Sequence, residues 1–328
     1  MNRRAAISTL SGAALAARRS FAQAPAQQTP PQPDRGQRVT PDVADARLKA
    51  GTRPLVCVYS GCLAKIPYFQ LSEIVGQMGY DGVDLTVMQG GHVDPGKYMV
   101  DLDRAFHTFQ DAGLELPMVT TSFTSPSQPY AYAILYVSAQ LGARFCRLGT
   151  WPPADSAAQA GQIANMRSMM MRNDLVQFAA TGTRCKITPM LANHAGSFPG
   201  RSIPEVDAML TGIDRAAFGY CFDPAQAVIE ARTANGWEAA LNAALPRLAA
   251  VALSDVALDK DPQNGNAMKP CPMGEGVIDW KKFFSVLAAA RFHGPVSMHM
   301  DYATHGEVNA MRKDLAFVRA RVNEAWPI

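Results

Sequence analysis

Short apolar segments alternate eight times with longer segments of helical period along this chain. The short segments have the length and composition of buried strands, and the longer ones repeat apolar residues every three or four positions. Strands that alternate with helices predict βαβ units and a parallel sheet. We predict strands over 54–59, 82–87, 116–121, 145–149, 186–191, 218–223, 249–255 and 295–301. We predict helices over 66–78, 98–112, 129–141, 157–181, 203–213, 237–245, 279–290 and 308–324.

Glycines mark the ends of several predicted helices. Gly79, Gly113, Gly142 and Gly182 each stand where a left-handed residue ends a helix before the next strand. An open, doubly wound sheet is the alternative, but it usually carries a glycine-rich phosphate loop after its first strand. The segment that begins at Tyr59, Tyr-Ser-Gly-Cys-Leu, is not such a loop. The pattern therefore predicts an α/β fold, a closed (β/α)8 or TIM barrel, without a nucleotide cofactor.

The first 50 residues differ from the rest of the chain. Arg3 and Arg4 precede a mildly apolar stretch, and cleavage is plausible after Ala22, a pattern that resembles a twin-arginine export signal. Residues 23–50 are rich in Pro and Gln, which predicts a linker. We therefore predict a signal peptide over 1–22, a linker over 23–50 and one barrel domain over 51–328. The signal predicts a location in the periplasm or outside the cell. The alternative to an export signal is that the first residues form a disordered basic tail.

Composition restricts the partners of the chain. The 328 residues are 48% hydrophobic, enough for a barrel, which typically takes about 250 residues. Lys and Arg number 31 against 28 Asp and Glu, and no basic run interleaved with aromatic residues predicts a nucleic-acid partner. The amino-terminal apolar stretch is too short for a stable membrane anchor, which needs about 20 apolar residues.

Four of the six cysteines lie in or beside apolar strand segments. Cys57, Cys146, Cys185 and Cys221 are therefore predicted to be small core residues. A disulfide between Cys57 and Cys62 stays open at this stage, because spacing alone does not decide it.

Polar residues concentrate at the carboxyl ends of the predicted strands, where TIM barrels carry out their chemistry. They are Asp84 and His92, Asn193 and His194, Asp223 and Gln226, Asp255, and His299, Asp301 and Tyr302.

Two segments near the carboxyl terminus carry a resemblance to a known family. The loop Cys271-Pro-Met-Gly-Glu-Gly-Val-Ile-Asp279-Trp280 is similar to Gly-x-Gly-x-x-Asp-aromatic, and Gly294-Pro-Val-Ser is similar to the start of Gly-Pro-x-Ser-x-Glu-x-Glu. Both motifs belong to the xylose-isomerase-like family of sugar (phosphate) isomerases and epimerases. The resemblance covers residues 54–325 and implies a TIM barrel with a small-molecule carbohydrate as its partner. It also implies a homo-oligomer, since barrels of this kind often pair through their outer helices.

The motifs of strands two, five and six are matched in part. The segment from Gly79 to Asp84 resembles the family's strand-two motif, with Asp84 in the acidic position. In Leu-Ala-Asn-His, which ends strand five, Ala192 replaces the family's metal-binding glutamate. Asp223 matches the aspartate of Asp-Pro-Gly-His on strand six, but Gln226 replaces its histidine.

The last two strands depart further from the family pattern. Ala252 and Ser254 stand where strand seven has a histidine and a lysine, and His299 and Asp301 replace the Glu-x-Glu of strand eight. The resemblance implies a divalent ion, and the residues that match its site are Asp223 and His299, with a third ligand from Asp301 or His194. A histidine ligand favours Mn, Zn or Fe.

The resemblance implies an enzyme that moves a proton at the carbon next to the carbonyl of a sugar or keto-sugar. The candidates for the catalytic acid or base are Asp84, His194, His299 and Asp301. A histidine is suited to this task near neutral pH. Elimination or hydration on a keto-sugar is a related outcome of the same chemistry.

Further residues are candidates for substrate contacts. Asn193 and Gln226 are expected to hold hydroxyl groups, Trp151 or Tyr302 to stack on a sugar ring, and His92 to cover the substrate. A solvated loop position is the alternative for His92.

Asp255 and Glu275 are also predicted to contact the substrate. For both of them, capping of the following helix is the alternative.

A non-catalytic sugar-binding barrel is the rival hypothesis, because several residues of the metal site are replaced. A nuclease on the same fold is disfavoured, because it needs a basic face and more histidines and carboxylates than the chain retains.

Overall fold

The apolar segments form eight parallel strands that close into a barrel. The computed structural model describes residues 53–153, 162–259, 267–302 and 307–327. The barrel strands are β1 (Val56–Tyr59), β2 (Gly82–Val87), β3 (Glu115–Thr121), β4 (Phe145–Arg147), β5 (Thr188–Ala192), β6 (Gly219–Phe222), β7 (Leu248–Leu253) and β10 (Val296–Met298). They follow one another in this order around the barrel, and Cys57 of β1 pairs with both Gly82 of β2 and Ser297 of β10. The predicted TIM barrel is confirmed.

Helices connect the strands and cover the outside of the barrel. They are α1 (Tyr68–Met78), α2 (Tyr98–Asp111), α3 (Ala131–Gln140), α4 (Gln162–Cys185), α5 (Ile203–Met209), α6 (Pro224–Ala231), α7 (Gly236–Ala244), α8 (Trp280–Ala289) and α9 (Glu307–Ala325). None of these helices is both long and apolar enough to cross a membrane. The predicted signal peptide and linker lie outside the described residues, and export stays a prediction.

Three of the four predicted glycine stops end their helices. Gly79, Gly113 and Gly142 have φ angles of 89°, 75° and 109°, in the left-handed region. The stop at Gly182 is wrong, because α4 continues to Cys185 and the left-handed residue is Lys186, with φ of 63°. A Cβ atom on Gly182 would lie 2.4 Å from Cδ of Pro189, so this glycine allows α4 to pack closely against β5.

Three elements do not appear in the predicted pattern. Helix α6 follows β6 directly, with Asp223 as its N-cap and Pro224 in its first turn, in a segment for which we predicted no helix. Strand β7 ends at Leu253, and Asp255 begins an antiparallel hairpin of β8 (Asp255–Asp259) and β9 (Ala267–Cys271). Strand β9 was not predicted because it contains Pro270, and proline is tolerated in a sheet chiefly at an edge.

The hydrophobic core has two parts. Outward-facing strand residues pack against the helices, whereas a smaller cluster fills the barrel interior: Met118, Met190, Cys221, Ala250 and Ala252. All six cysteines are free, and the four that were predicted to be core residues are buried. Polar residues lie above the interior cluster, at the carboxyl ends of the strands.

Candidate active site

Asp84 is the most deeply buried acidic group of the barrel mouth. Its side chain is inaccessible to solvent, and both oxygens accept hydrogen bonds from hydroxyl groups, Oδ1 from Thr120 at 2.7 Å and Oδ2 from Ser297 at 2.8 Å. Burial raises the pKa of the Asp84 carboxyl, and the positive charge of Arg147 opposes this rise. The carboxylate is thus held in place by its neighbours, with both oxygens occupied.

Arg147 is a site residue that the sequence analysis missed. It ends β4, which lies diametrically opposite β10 in the barrel, and its side chain reaches across the mouth to His299. Nη1 lies 3.4 Å from Nε2 of His299, and Cζ lies 5.4 Å from the centroid of the Tyr59 ring. The guanidinium also interacts electrostatically with Asp84 and Asp223. The signal in the sequence is a single charged residue inside an apolar strand.

His299 is held between an aromatic ring and a cation. Its imidazole stacks on Tyr59, with ring centroids 4.2 Å apart and an interplanar angle of 7°. Burial, and then the charge of Arg147, lower the pKa of His299 well below 6.5, so the ring is neutral. A guanidinium only donates hydrogen bonds, so the contact with Arg147 requires Nε2 of His299 to accept.

Asp223 lies at the end of β6 and is 8% exposed. Its Oδ1 accepts the backbone N–H of Gln226 at 3.1 Å, which caps α6. Asn193 fixes the backbone of Asp223 from β5, because its side chain accepts the N–H at 2.9 Å and donates to the carbonyl oxygen at 2.8 Å. Burial raises the pKa of the Asp223 carboxyl to about 7, opposed by the Gln226 hydrogen bond and by Arg147. Asn193 is therefore a positioning residue for Asp223.

Asp301 and His194 lie at the exposed rim of the mouth. Desolvation raises the pKa of the Asp301 carboxyl, while Arg147 and His194 act in the opposite direction. The electrostatic influence of Asp301 also reaches Asp223. Nδ1 of His194 donates a hydrogen bond within its own loop, to the carbonyl oxygen of Ala195 at 3.0 Å. Four of the predicted residues thus surround Arg147: Asp84, Asp223, His299 and Asp301.

Two residues that were predicted to contact the substrate, Gln226 and His92, instead form hydrogen bonds that hold loops in place. The Gln226 side chain accepts the N–H of Ala195 at 3.0 Å, which ties the loop after β5 to α6. His92 uses both ring nitrogens, with Nε2 donating to the carbonyl oxygen of Ile66 at 2.9 Å and Nδ1 lying 3.3 Å from Oγ1 of Thr86. These contacts fix the loops after β1 and β2, and they account for His92 without a substrate.

Asp255 organises the loop that carries the glycine motif. Its Oδ2 accepts the N–H groups of Gly274 at 2.9 Å and Gly276 at 3.2 Å and the indole N–H of Trp280 at 2.8 Å. Its Oδ1 accepts the N–H of Val256 at 2.8 Å. The carboxylate is 1% exposed, so its oxygens are committed to the protein.

Glu275 is exposed and does not cap α8. That helix is capped by Asp279, whose Oδ1 accepts the N–H of Lys282 at 3.0 Å.

Trp151 and Tyr302, which were predicted to stack on a sugar ring, make other contacts in the structure. Trp151 is buried in the main hydrophobic cluster, and the hydroxyl of Tyr302 donates to Asp314 of α9 at 2.7 Å.

The predicted metal ligands do not assemble into a cluster. Within the part of the chain that the structure describes, no three His, Cys, Asp or Glu side chains form a group that could hold a metal ion. Asp223 caps α6, and Nε2 of His299 contacts the guanidinium of Arg147. Ala192, at the end of β5, has no metal-binding group.

Comparisons with solved structures agree on the architecture. A xylose isomerase-like TIM barrel protein from Mycobacterium smegmatis, solved in complex with magnesium, is 14% identical, with a TM-score of 0.65 over 84% of this chain and 99% of that chain. The 3-keto-D-glucoside 4-epimerase of E. coli is 13% identical, with a TM-score of 0.63 over 82% and 100%. The D-allulose 3-epimerase of Methylomonas sp. is 15% identical, with a TM-score of 0.61 over 82% and 98%.

At these identities the neighbours establish a shared fold. No curated protein sequence matches this chain significantly. The profile of the xylose isomerase-like TIM barrel family matches residues 72–321, most of the barrel. The chain therefore belongs to the xylose isomerase-like TIM barrel family.

Proposed function

We propose that this protein is an enzyme that transfers a proton at the carbon next to the carbonyl of a sugar or keto-sugar. The observation that carries the proposal is the meeting of two carboxyl groups, Asp223 and Asp301, with the Arg147 guanidinium at one barrel mouth. Two structural neighbours support it, because they are epimerases of 3-keto-D-glucoside and D-allulose.

Asp223 is the group we assign to proton abstraction. A pKa of about 7 leaves a substantial fraction of the carboxylate free at neutral pH and makes it a stronger base than an ordinary aspartate. The carboxylate takes the proton from carbon, the C–H electron pair forms a C=C bond, and the carbonyl electron pair moves to oxygen. Asp301, which interacts electrostatically with Asp223, is the second group that returns a proton.

The other predicted acid/base residues have different roles in this proposal. Asp84 accepts two hydroxyl hydrogen bonds and balances the charge of Arg147. His299 is neutral and lies beside a cation, which makes it a poor base. Its ring, stacked on Tyr59, lines the site as an uncharged side chain. His194, at the rim, interacts electrostatically with Asp301.

The family resemblance implies a divalent ion, but the described residues do not fit one. The ligand positions of strands five and seven hold Ala192 and Ala252. Of the two candidates that match the family's site, His299 contacts the Arg147 guanidinium and Asp223 interacts with it electrostatically. We therefore assign no step to a metal.

Isotope exchange tests the proposed reaction without knowledge of the natural substrate. A panel of ketoses and 3-keto-glycosides is incubated with the protein in D2O, and deuterium at the carbon next to the carbonyl is followed by NMR. We expect exchange with at least one sugar, and we expect Asp223→Asn to slow it by about 100-fold or more. Asparagine is as good an N-cap as aspartate, so this variant keeps the start of α6.

Asp279→Asn is the matched control, because Asp279 is also an N-cap but lies on the exposed start of α8. This variant should exchange at the wild-type rate. Sugars that bind to the wild-type protein without any exchange would contradict an enzyme and support the sugar-binding barrel.

A further inference from the structure

The Arg147 guanidinium lies in the middle of the residues that the family pattern assigns to the metal. It crosses the mouth from β4 to His299 and interacts electrostatically with Asp223, Asp84 and Tyr59. A permanent positive charge is therefore already present at this site, because an arginine side chain stays protonated in proteins.

The residues around Arg147 leave most of its donors for a ligand. A guanidinium carries five N–H groups in a rigid plane. Among the described residues, its hydrogen-bond partners are Nε2 of His299, at 3.4 Å, and the Cys221 thiol. Both are weak or long contacts for so strong a donor, and no described carboxylate pairs with it directly. Arg147 as a residue is only partly buried, and a guanidinium with free donors is suited to a ligand with two adjacent oxygens.

The neighbouring strand is adapted to this arginine. Arg147 pairs with Met190 of β5, so Ala192 lies on the same face of the sheet, two residues closer to the mouth. The family pattern places a metal-binding glutamate at this position. The short, uncharged side chain of Ala192 leaves space for a guanidinium at this position. It also adds no negative charge that a metal ion would be needed to neutralise.

We infer that Arg147 is the cation of this active site, and that its guanidinium binds the carbonyl oxygen and the adjacent hydroxyl oxygen of a hydroxyketone without a divalent metal. The inference rests on the proposed proton transfer. When the C–H bond breaks, negative charge develops on the carbonyl oxygen, and a fixed donor fork stabilises that charge. Two coplanar oxygens match the two parallel N–H groups of the fork.

A binding measurement tests this inference independently of activity. Oxalate offers two coplanar oxygen pairs, so we titrate it into the full protein by calorimetry in the presence of EDTA. We expect binding to the wild type, at least tenfold weaker binding to Arg147→Met, and an intermediate affinity for Arg147→Lys, which keeps the charge but not the fork. Arg144→Met is the control, because Arg144 precedes the amino end of β4 whereas Arg147 lies at its carboxyl end. This variant should bind oxalate like the wild type.

Two results would overturn the inference. One is equal oxalate affinity of the wild type and the Arg147→Met or Arg147→Lys variant, and the other is oxalate binding by the wild type only after Mn²⁺ is added. The second result needs no variant, so it decides the matter even if Arg147→Met does not fold.

Isotope exchange separates this inference from the proposed function. Exchange by the wild type should continue unchanged in EDTA and should not increase with Mn²⁺, whereas exchange that EDTA abolishes and Mn²⁺ restores contradicts the inference alone. If no ketose or keto-glycoside exchanges, the proposed function fails, and the oxalate titrations still decide whether Arg147 is the cation of the site.

Discussion

Two neighbouring aspartates at the barrel mouth, Asp223 after β6 and Asp255 after β7, occupy similar positions and have different surroundings. Asp255 accepts four hydrogen bonds from backbone and indole N–H groups, which occupy both of its oxygens. Asp223 accepts capping hydrogen bonds on the side of α6 and otherwise faces Asp301 and Arg147. Burial raises the pKa of both carboxyls.

The difference shows how a buried carboxylate in a family motif becomes structural or reactive. A carboxylate whose two oxygens both accept hydrogen bonds from fixed N–H donors is less available to take a proton from a ligand than one with an oxygen free of such donors. Asp255 therefore stabilises the glycine loop, whereas Asp223 lies beside a cation and a second carboxyl group. A raised pKa alone does not distinguish them, but their hydrogen-bond partners do.

The largest expected effect on stability is that of Asp255→Ala. The substitution leaves three backbone N–H groups and the Trp280 indole without their acceptor in a buried corner, so we expect a loss of about 3–5 kcal/mol in the free energy of unfolding. Urea unfolding at pH 7 measures it. A loss under about 1 kcal/mol would show that water replaces the carboxylate and would remove the contrast with Asp223.

A second prediction concerns the pH dependence that Asp223 produces. Its folded pKa of about 7 lies above its ordinary value of 3.8, so its favourable contribution is complete below pH 4 and is lost as the pH rises through 7. Asparagine does not titrate. The gap in unfolding free energy between Asp223→Asn and the wild type should therefore shift toward the variant by up to about 4 kcal/mol from pH 4 to pH 8.

Urea unfolding of both proteins at several pH values measures this gap. Asp279→Asn is the control, since it makes the same substitution at an N-cap that is exposed and lies on a different helix. A gap that stays constant from pH 4 to pH 8 would mean that the Asp223 carboxylate is well solvated or paired at the mouth.

The smallest expected effect is that of Asp279→Ala, which isolates the value of a cap. Asp279 caps α8 with the same geometry that Asp223 uses on α6, each accepting from the N–H three residues later. We expect a loss of about 1 kcal/mol in the free energy of unfolding and recovery by Asp279→Ser. A much larger loss would mean that the hydrogen bond from Gln226 to Asp223 also contributes much more than about 1 kcal/mol to stability.

The barrel was predictable because its signals are local and repeated. Strand β2 has the predicted bounds of 82–87, and Gly79, Gly113 and Gly142 end helices as expected. The hairpin of β8 and β9 was missed because Pro270 is unfavourable in most strands, and Gly182 was misassigned because its role is close packing and not a turn.

The candidate site was predictable only as a set of strand ends. Asp84, Asp223, His299 and Asp301 do lie around one mouth, as the position of chemistry in a TIM barrel requires. Arg147 was missed because it stands inside an apolar strand, where nothing nearby in the sequence indicates that its side chain reaches across the barrel.

The fold class, the order of the strands and the edge of the barrel at which polar groups gather can be read from the sequence, because periodicity and glycine positions act over a few residues. Which of those polar groups hydrogen-bond within the protein, and which are left to face a ligand, depends on the folded arrangement. Hydrogen bonds such as those from Gly274 and Trp280 to Asp255, or the contact from Arg147 to His299, join residues far apart in the chain. Their partners are set by barrel closure, which no local pattern records.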